Sequence, residues 1–355
     1  MRLFTLATLM PAALIALGVW LGGVWPWLAV GYLTVLVFAL DRLIAVEAVN
    51  ADPDAEFPAA DVLLVALGVT HFAVLALALW AIAGPSGLSA GKTALIAIAA
   101  SLMFGQVSHP VAHELIHRNH RSKRLLGRLI YTSLMVGHHA SAHLRVHHVH
   151  VGSDADPNSA PRGEGFYRYA LRASVQSFLA GLRAETHLRS GRKRSPLSHP
   201  YVLYVAGGLA MPVAVTLWGG GPALAGYLFM ALYAQVQILM SDYVQHYGLR
   251  RRTTPDGRLE PVGPRHSWNA PHWFSSALML NAPRHSDHHT SPSRPYPALQ
   301  LDRGEMPILP YPLPVMAGLA LLPPLWRRVL DRRLVRWQSD ADAATVPGAI
   351  ATPGQ

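Results

Sequence analysis

The chain has 355 residues, of which 51% are hydrophobic and only 14% are charged, and this balance excludes an ordinary soluble enzyme of that length. It carries 30 basic against 20 acidic residues, for a formal net charge of +10, and it has no cysteine, which excludes disulfides and cysteine-ligated haem or iron–sulfur centres. The basic residues flank apolar segments, where they meet anionic lipid, and no nucleic-acid-binding module is present, so we expect no nucleic-acid partner.

Six apolar segments of the chain are long enough to cross a lipid bilayer. A helical span needs about 20 predominantly apolar residues to cross roughly 30 Å of hydrocarbon. The sequence therefore predicts an all-α integral membrane protein with six transmembrane helices. The predicted spans are Leu3–Leu21, Pro26–Leu40, Val62–Ala83, Thr93–Val111, Tyr201–Trp218 and Ala223–Met240.

The last part of the chain adds a shorter apolar stretch and a polar tail. Leu309–Leu325 carries five prolines, which break helices, so we expect an interfacial or re-entrant segment there and not a seventh span. We interpret residues 1–337 as one membrane-embedded domain. Residues 338–355 are small and polar and include proline and glycine, a composition that predicts a disordered tail.

Basic residues are concentrated after the fourth span, before the fifth and after the sixth, whereas the turns at 22–25 and 218–222 have none. By the positive-inside rule, these basic segments and both termini face the cytoplasm of a multi-pass inner-membrane protein. Such residues either anchor the helices to anionic lipid or steer an acidic electron donor to the protein. The candidates for donor docking are Arg118, Arg121, Lys123, Arg124, Arg250, Arg251 and Arg252.

Most of the nineteen histidines lie in or near three clusters. The clusters read H-E-L-I-H (His113–His117), H-L-R-V-H-H (His143–His148) and H-S-D-H-H (His285–His289), and a fourth candidate, His246, lies in D-Y-V-Q-H-Y-G-L. Helical residues three or four apart project from one face, so each cluster can present two or three imidazoles, the commonest metal-ligating side chain, to one point. Eight or nine nitrogens are too many for one ion, which predicts a two-metal site on the cytoplasmic side.

The first cluster is also a literal H-E-x-x-H, the signature of zinc metalloproteases, in which Glu114 would be the general base. A catalytic zinc takes three protein ligands and a water, so this hypothesis leaves the two other clusters unexplained. Histidines that only satisfy hydrogen bonds in the core are the alternative for any single pair. The coincidence of three clusters on one side of the membrane disfavours that alternative.

The motifs H-E-L-I-H-R, H-x-x-x-H-H, D-Y-x-Q-H-Y-G-L and R-H-S-D-H-H-x-x-P-x-R-P-Y occur in this order between about Gly105 and Leu299. In this order they resemble the membrane-bound alkane 1-monooxygenase family, which belongs to the membrane di-iron hydroxylases and desaturases. The segment S-D-A-D-P-N-S-A (Ser153–Ala160) is similar to an acidic, proline-containing segment of that family.

The resemblance implies a non-haem di-iron site that uses O2 as co-substrate. It also implies a rubredoxin-type electron donor with an NAD(P)H-dependent reductase, and an apolar substrate that arrives from the membrane lipid. The chain departs from the family pattern at Ala142 and Gln245, where glutamates are usual, and at Pro283, where glutamine is usual. The implied iron ligands are His113, His117, His143, His147, His148, His246, His285, His288 and His289.

Two ferrous ions bound by neutral imidazoles would leave about four positive charges, which need nearby carboxylates or bridging oxygen to offset them. Carboxylates near a metal also accept the free imidazole N–H and fix its tautomer. The candidates for this role are Glu114, Asp242 and Asp287, together with Asp154 and Asp156, for which an ordinary turn before Pro157 is the alternative.

Iron fits this setting better than zinc, because oxidation of a C–H bond of an apolar chain requires a redox metal. Together with this chemistry, the resemblance implies a monooxygenase that hydroxylates the terminal carbon of a medium-chain n-alkane with O2 and two electrons from outside. A fatty acid desaturase, or a fatty-acyl or aryl-alkyl hydroxylase, of the same architecture stays open. A membrane metal carrier without redox function is the non-enzymatic alternative.

Overall fold

The computed structural model describes residues 1–44, 46–191 and 194–345. Within these ranges the regular structure is helical, and β-pairing is limited to isolated bridges. The helix Pro58–Ala83 begins with a proline and is followed by Gly84, as is common at helix ends. The first four long helices contain the first four predicted spans: α1 (Arg2–Leu21), α2 (Trp25–Leu43), α3 (Pro58–Ala83) and α4 (Ala90–His117).

Three helices follow before the last long one: α5 (Arg121–Ser133), α6 (residues 139–150) and α7 (Phe166–Arg189). The long helix α8 (Pro200–His246) has 47 residues, which makes it about 70 Å long at 1.5 Å per residue. Its backbone is broken at Gly220, with φ 67° and ψ −156°, a conformation that essentially only glycine adopts. The fifth and sixth predicted spans are therefore joined by a bend within α8 and not by an open loop.

Four shorter helices close the described chain: α9 (Trp273–Leu278), α10 (His285–Thr290), α11 (Leu313–Ala320) and α12 (Pro323–Thr345). The eight-residue α11 packs on α8 and is too short to cross a membrane, in line with the expectation for this apolar stretch. In α12, the ring of Trp326 lies 5.1 Å from that of Tyr243, and Asp331 accepts a hydrogen bond from Tyr247.

The helix α12 includes residues 338–345, the first part of the segment for which the sequence predicted a disordered tail. The helix α12 continues to Thr345, because it propagates from a turn already anchored by the buried Trp326. Residues 346–355 lie outside the part of the chain that the structure describes.

The central helix α4 packs against α2, α3 and α8, and most of its residues are buried. It crosses α8 closely at Gly105, where a β-carbon would lie only 2.3 Å from Cδ of Gln237. Residues 104–108 of α4 form a π-helical turn, as do residues 143–147 of α6. A π-turn holds one residue more than an α-turn and changes which side chains share a face beyond it. These two π-turns lie in helices that carry histidine clusters, whereas a third, Tyr32–Leu36, lies in α2, which carries none.

Candidate metal centre

The structure brings together the nine histidines that we propose as metal ligands. They come from four places: the end of α4, the helix α6, the last residue of α8 and the helix α10. Their nitrogens converge in two groups, within each of which the atoms lie within 4.8 Å of one another. The five-histidine group is His113, His117, His143, His148 and His288, and the four-histidine group is His147, His246, His285 and His289.

Neighbouring histidines of the second cluster belong to different groups. The π-turn in α6 places His143 and His148, five residues apart, on the same side, with their Nε2 atoms 2.9 Å apart. His147 points into the four-histidine group instead. Two imidazoles of each cluster therefore meet at one point, as the sequence spacing led us to expect, and the third histidine of α6 joins the other group. In α10, His285 and His289 stay together and His288 joins the five-histidine group.

The spacing within the five-histidine group fits a metal ion. Successive Nε2 atoms lie 3.1 Å apart from His117 to His143, 2.9 Å from His143 to His148 and 3.1 Å from His148 to His288. With metal–nitrogen bonds of about 2.1 Å, ligands at right angles are about 3.0 Å apart, and tetrahedral ligands about 3.4 Å. The distances between these nitrogens are in the range expected for imidazoles that share one metal ion.

The four-histidine group has the same spacing. The Nε2 atoms of His246 and His285 are 3.0 Å apart, and those of His285 and His289 are 3.2 Å apart. The buried Nε2 atoms of His147 and His113 have no hydrogen-bond partner among the described residues, which leaves their lone pairs available to an ion. Each group therefore fits one metal ion, and the two groups share no histidine.

The geometry disagrees with a zinc protease. Glu114 accepts a hydrogen bond from Arg118 at 2.9 Å and lies 3.3 Å from the backbone nitrogen of Tyr296. A carboxylate held in this way is not free to activate a water. His113 and His117 moreover share their group with three further imidazoles, whereas a catalytic zinc needs an open position.

Asp156 contacts a proposed ligand directly. Its Oδ2 lies 2.9 Å from Nδ1 of His147 and accepts a hydrogen bond from the Ser159 hydroxyl at 2.7 Å. This contact fixes the tautomer, with the proton on Nδ1 and the lone pair of Nε2 facing the metal position. Burial raises the pKa of Asp156, but the contacts with His147 and Ser159 outweigh it, so its pKa lies below the usual value.

Asp242 belongs to the same network through an intermediate residue. Its carboxylate accepts a hydrogen bond from the Asn158 amide at 2.6 Å, and the backbone nitrogen of Asn158 donates to Asp156. Both carboxylates are buried near the four-histidine group, where they offset the charge of a bound cation.

The other three carboxylates predicted to orient imidazoles have other partners. Asp287 binds Arg294 at 2.5 and 2.6 Å, and Glu114 binds Arg118 as described. Asp154 is fully exposed and pairs with Arg250 at 3.3 Å. The structure therefore places Asp156, and not Asp154, against a proposed ligand, because the loop before Pro157 turns only Asp156 inward, a three-dimensional detail that sequence spacing does not give.

Comparison with known proteins agrees with this site. Residues 90–317, more than half of the chain, match the sequence profile of the fatty acid desaturase family and include all nine histidines. The chain is 28% identical over 318 residues to alkane 1-monooxygenase 2 of Alcanivorax borkumensis, covering 87% of this chain and 83% of the relative. It is 33% identical over 235 residues to alkane 1-monooxygenase 1 of Pseudomonas aeruginosa, covering 65% and 61%. The chain belongs to the alkane 1-monooxygenase family.

One relative of the chain carries a different kind of name. The hydroxylase component of the xylene/toluene monooxygenase of Pseudomonas putida is 30% identical over 250 residues, covering 69% of this chain and 63% of the relative. The comparisons thus support a monooxygenase with a histidine-rich metal site, and the names of the relatives refer to more than one hydrocarbon class.

Several residues that lie next to the two histidine groups were not predicted from the sequence. The hydroxyl of Ser267 lies 3.4 Å from Nδ1 of His246. Arg284, just before α10, is almost completely buried and donates to the backbone carbonyls of Ala48, Val49 and Leu299, which ties the 46–57 loop to the third cluster. Arg284 belongs to the R-H-S-D-H-H motif, but nothing local in the sequence indicated its distant partners.

The first set of basic residues proposed for donor docking is largely engaged within the protein. Arg118 lies 3.3 Å from Asp61, and Lys123 pairs with the same carboxylate. Arg124 donates to the backbone carbonyls of Arg118 and Asn119. Arg121 is exposed.

The second set lines an open recess of about 680 Å³, which we call the arginine recess. Its lining includes Arg250, Arg251 and Arg252, together with Arg265, whose guanidinium lies 5.0 Å from the ring of Trp337. His266 also lines the arginine recess, and the next residue is the Ser267 that contacts His246. Only His266 and Ser267 therefore lie between the arginine recess and His246 of the four-histidine group.

Replacing Asp156 with asparagine should weaken metal binding, because the amide does not hold the His147 tautomer as a carboxylate does. Loss of such an outer partner typically lowers metal affinity about 10- to 100-fold. Iron retained per chain, measured by mass spectrometry after dialysis against graded chelator, should fall for Asp156→Asn. The matched variant Asp154→Asn should retain iron as the wild type does, and equal retention by both variants would contradict the assigned role.

Proposed function

We propose that this protein is a di-iron monooxygenase that hydroxylates the terminal carbon of an apolar hydrocarbon, a medium-chain n-alkane. The observation that carries the proposal is the pair of imidazole groups, with neighbouring Nε2 atoms 2.9 to 3.2 Å apart, gathered at the ends of the apolar helices α4 and α8. Bound iron would supply the activation of O2. The reaction balances when one oxygen atom enters the alcohol and the other leaves as water, with two electrons and two protons from outside.

The residues of the chain would hold the two ions close together and fix the ring tautomers. Seven of the nine histidines are buried, and His117 and His148 are partly buried, so the site largely excludes water. Asp156 orients His147, and Arg284 ties the loop over α10 in place. Such rigid placement suits a reaction in which an unreactive C–H bond must be held at a defined position.

Two related reactions compete with this proposal. A relative is named for xylene and toluene, which favours attack on the methyl group of an alkylbenzene as a second candidate. The match to the fatty acid desaturase family keeps desaturation of an acyl chain open. All three reactions break a C–H bond of an apolar chain, and their products differ.

The products distinguish these candidates. Membranes containing the iron-loaded protein, a reduced donor system and 18O2 should convert n-alkanes to 1-alcohols that carry one 18O atom, detected by gas chromatography and mass spectrometry. His285→Ala should abolish the product and lower bound iron together, since it removes a ligand from the four-histidine group. Exclusive formation of benzylic alcohols, or of unsaturated acyl chains without 18O, would overturn the alkane assignment in favour of the corresponding alternative.

We further propose six membrane crossings with both termini and the metal site on the cytoplasmic side of the inner membrane. The length of α8, more than twice the roughly 30 Å hydrocarbon thickness, and its bend at Gly220 support two crossings by this helix. Basic residues next to the histidine clusters support the orientation.

Because the chain has no cysteine, single cysteines report the orientation cleanly. Ser89→Cys lies in the turn between α3 and α4, and Ser293→Cys lies just after α10; both serines are exposed. In intact cells, a membrane-impermeant maleimide should label Ser89→Cys and should leave Ser293→Cys unlabelled until the cells are opened. The reverse pattern would contradict the orientation.

The electron donor that we propose is a small acidic iron protein of the rubredoxin type, itself reduced by an NAD(P)H-dependent reductase. The arginine recess supports this partner, because it concentrates basic side chains near the four-histidine group. Basic residues near membrane helices can equally serve as lipid anchors. Neutralising the arginines of the recess distinguishes donor docking from lipid anchoring.

The double variant Arg250→Gln/Arg265→Gln should weaken the apparent affinity for the donor by about tenfold and reduce its salt dependence, since charges at a docking surface act mainly on association. Turnover against donor concentration, measured in detergent at several ionic strengths, checks this. The control Arg121→Gln, which lies outside the recess, should behave as the wild type does. Unchanged donor affinity and salt dependence in the double variant would leave these arginines as anchors.

A further inference from the structure

A second basic recess adjoins the arginine recess, and we call it the tryptophan recess. It has a volume of about 280 Å³, and Trp337 lines both recesses. Trp268 is also part of its wall, and none of the described residues that line it is acidic. Three arginines complete its lining: Arg303, which pairs with Glu47, Arg333 and Arg336. The tryptophan recess therefore continues the basic face of the protein beyond the arginine recess.

Trp268 links the tryptophan recess to the backbone on both sides of His246. The residue is only 1% exposed. Its backbone nitrogen donates to the carbonyl of Gln245 at 2.8 Å, and its indole Nε1 donates to the carbonyl of Tyr247 at 2.9 Å. His246, which belongs to the four-histidine group, lies between these two acceptors in the chain. From the indole, one hydrogen bond and one peptide unit therefore lead to a proposed metal ligand.

The residues beside Trp268 contact the chain next to a second proposed ligand, His285. The carbonyl of Ser267 accepts a hydrogen bond from the Ser286 hydroxyl at 2.8 Å, and Oδ1 of Asn269 accepts one from the Ser286 backbone nitrogen at 2.9 Å. Ser286 directly follows His285. Trp268 and its two neighbours are therefore joined by hydrogen bonds to the chain beside two of the four imidazoles of this group.

Two routes lead from this basic surface to His246. One runs from the arginine recess through His266 and Ser267, whose hydroxyl lies 3.4 Å from Nδ1 of His246, a long contact for a hydrogen bond. The other runs through the indole of Trp268 and its 2.9 Å hydrogen bond. Electrons tunnel more readily along covalent bonds, short hydrogen bonds and aromatic rings than across open space. The aromatic ring and the shorter hydrogen bond therefore favour the route through Trp268.

We propose that Trp268 is the electron relay between a donor docked over the two recesses and the metal of the four-histidine group. In each transfer one electron leaves the donor and one ferric ion becomes ferrous; the indole mediates the transfer, and no bond forms or breaks. The basic recesses suit an acidic donor, since opposite charges bring its redox centre close to Trp337 and Trp268. The inference rests on the proposed function, because it requires a redox-active metal in this group.

The test injects electrons without any donor protein. Because the chain has no cysteine, Arg336→Cys places a single thiol at an exposed position of the tryptophan recess, where it is labelled with a ruthenium photoreductant. In iron-loaded, oxidised protein without O2, a light flash and a sacrificial amine reduce the label, and its absorbance reports how fast the electron leaves it. Iron-free protein gives the background rate, and Mössbauer spectroscopy detects the ferrous iron that forms.

Variants of the labelled protein distinguish the two routes. Trp268→Phe should slow the transfer several-fold, because phenylalanine has a smaller ring and no N–H to bond the carbonyl of Tyr247. The matched control is Trp326→Phe. Trp326 is fully buried and its ring contacts that of Tyr247, but it lines neither recess, so its variant should transfer electrons as the labelled wild type does. A rate that falls with Ser267→Ala and not with Trp268→Phe would overturn the proposal.

Two further measurements separate a relay from a structural role of the indole. Iron content and the rate of reduction by dithionite, a small reductant that needs no docking surface, should be the same in Trp268→Phe as in the wild type. With reduced donor, Trp268→Phe should lower the rate of iron reduction at saturating donor and keep the apparent donor affinity, whereas charges at a docking surface act on association. Equal flash rates in Trp268→Phe and Trp326→Phe, or loss of iron together with slow reduction by dithionite, would contradict the relay.

The result does not depend on the identity of the donor or on hydroxylation. The flash experiment contains no donor, so a wrong donor leaves its outcome intact. If the relay is wrong, electrons can still reach the site by the route through Ser267, and hydroxylation is unaffected. Absence of iron from the wild-type protein would instead refute the proposed function, and the measurement of iron content shows this before any flash.

Discussion

The structure depends on bringing the lone pairs of many neutral imidazoles to two points. Within each group, neighbouring Nε2 atoms lie 2.9 to 3.2 Å apart, and lone pairs at this separation repel one another unless a cation lies between them. The ligands come from segments that are up to 176 residues apart in the chain, from His113 to His289. The bound metals would therefore hold together four helix ends that otherwise have little reason to converge.

The protein positions these helix ends by local departures from regular structure. The π-turn in α6 divides the second cluster between the two groups, and the glycine at 105 lets α8 approach α4 closely. The buried Arg284 fastens a loop from the other end of the sequence beside α10. Asp156 and Asn158 then fix one ring of the four-histidine group. Each device costs backbone freedom or desolvation, and together they make the site rigid before any substrate arrives.

The surroundings of the site differ on its two sides, which suits the chemistry that we propose. Between α4, α8 and α11 a recess of about 200 Å³ has mostly apolar walls, whereas the arginine recess is basic and open. In the reaction that we propose, a hydrocarbon and its alcohol would exchange with the bilayer, and electrons would arrive from an aqueous partner by a separate route. Such separation keeps water and the donor away from the reacting carbon.

The sequence by itself determined the class of protein and the identity of the histidines that meet. Apolar length predicts helices, and the spacing of His113 and His117 predicts a shared face, because both depend only on local geometry. The π-turn in α6 decides which of the two groups His143, His147 and His148 join. That turn is set by packing and not by the spacing of the histidines. Tertiary structure also decided that Asp156 orients an imidazole whereas Asp287 binds Arg294, since a carboxylate takes the partner that the fold brings nearest.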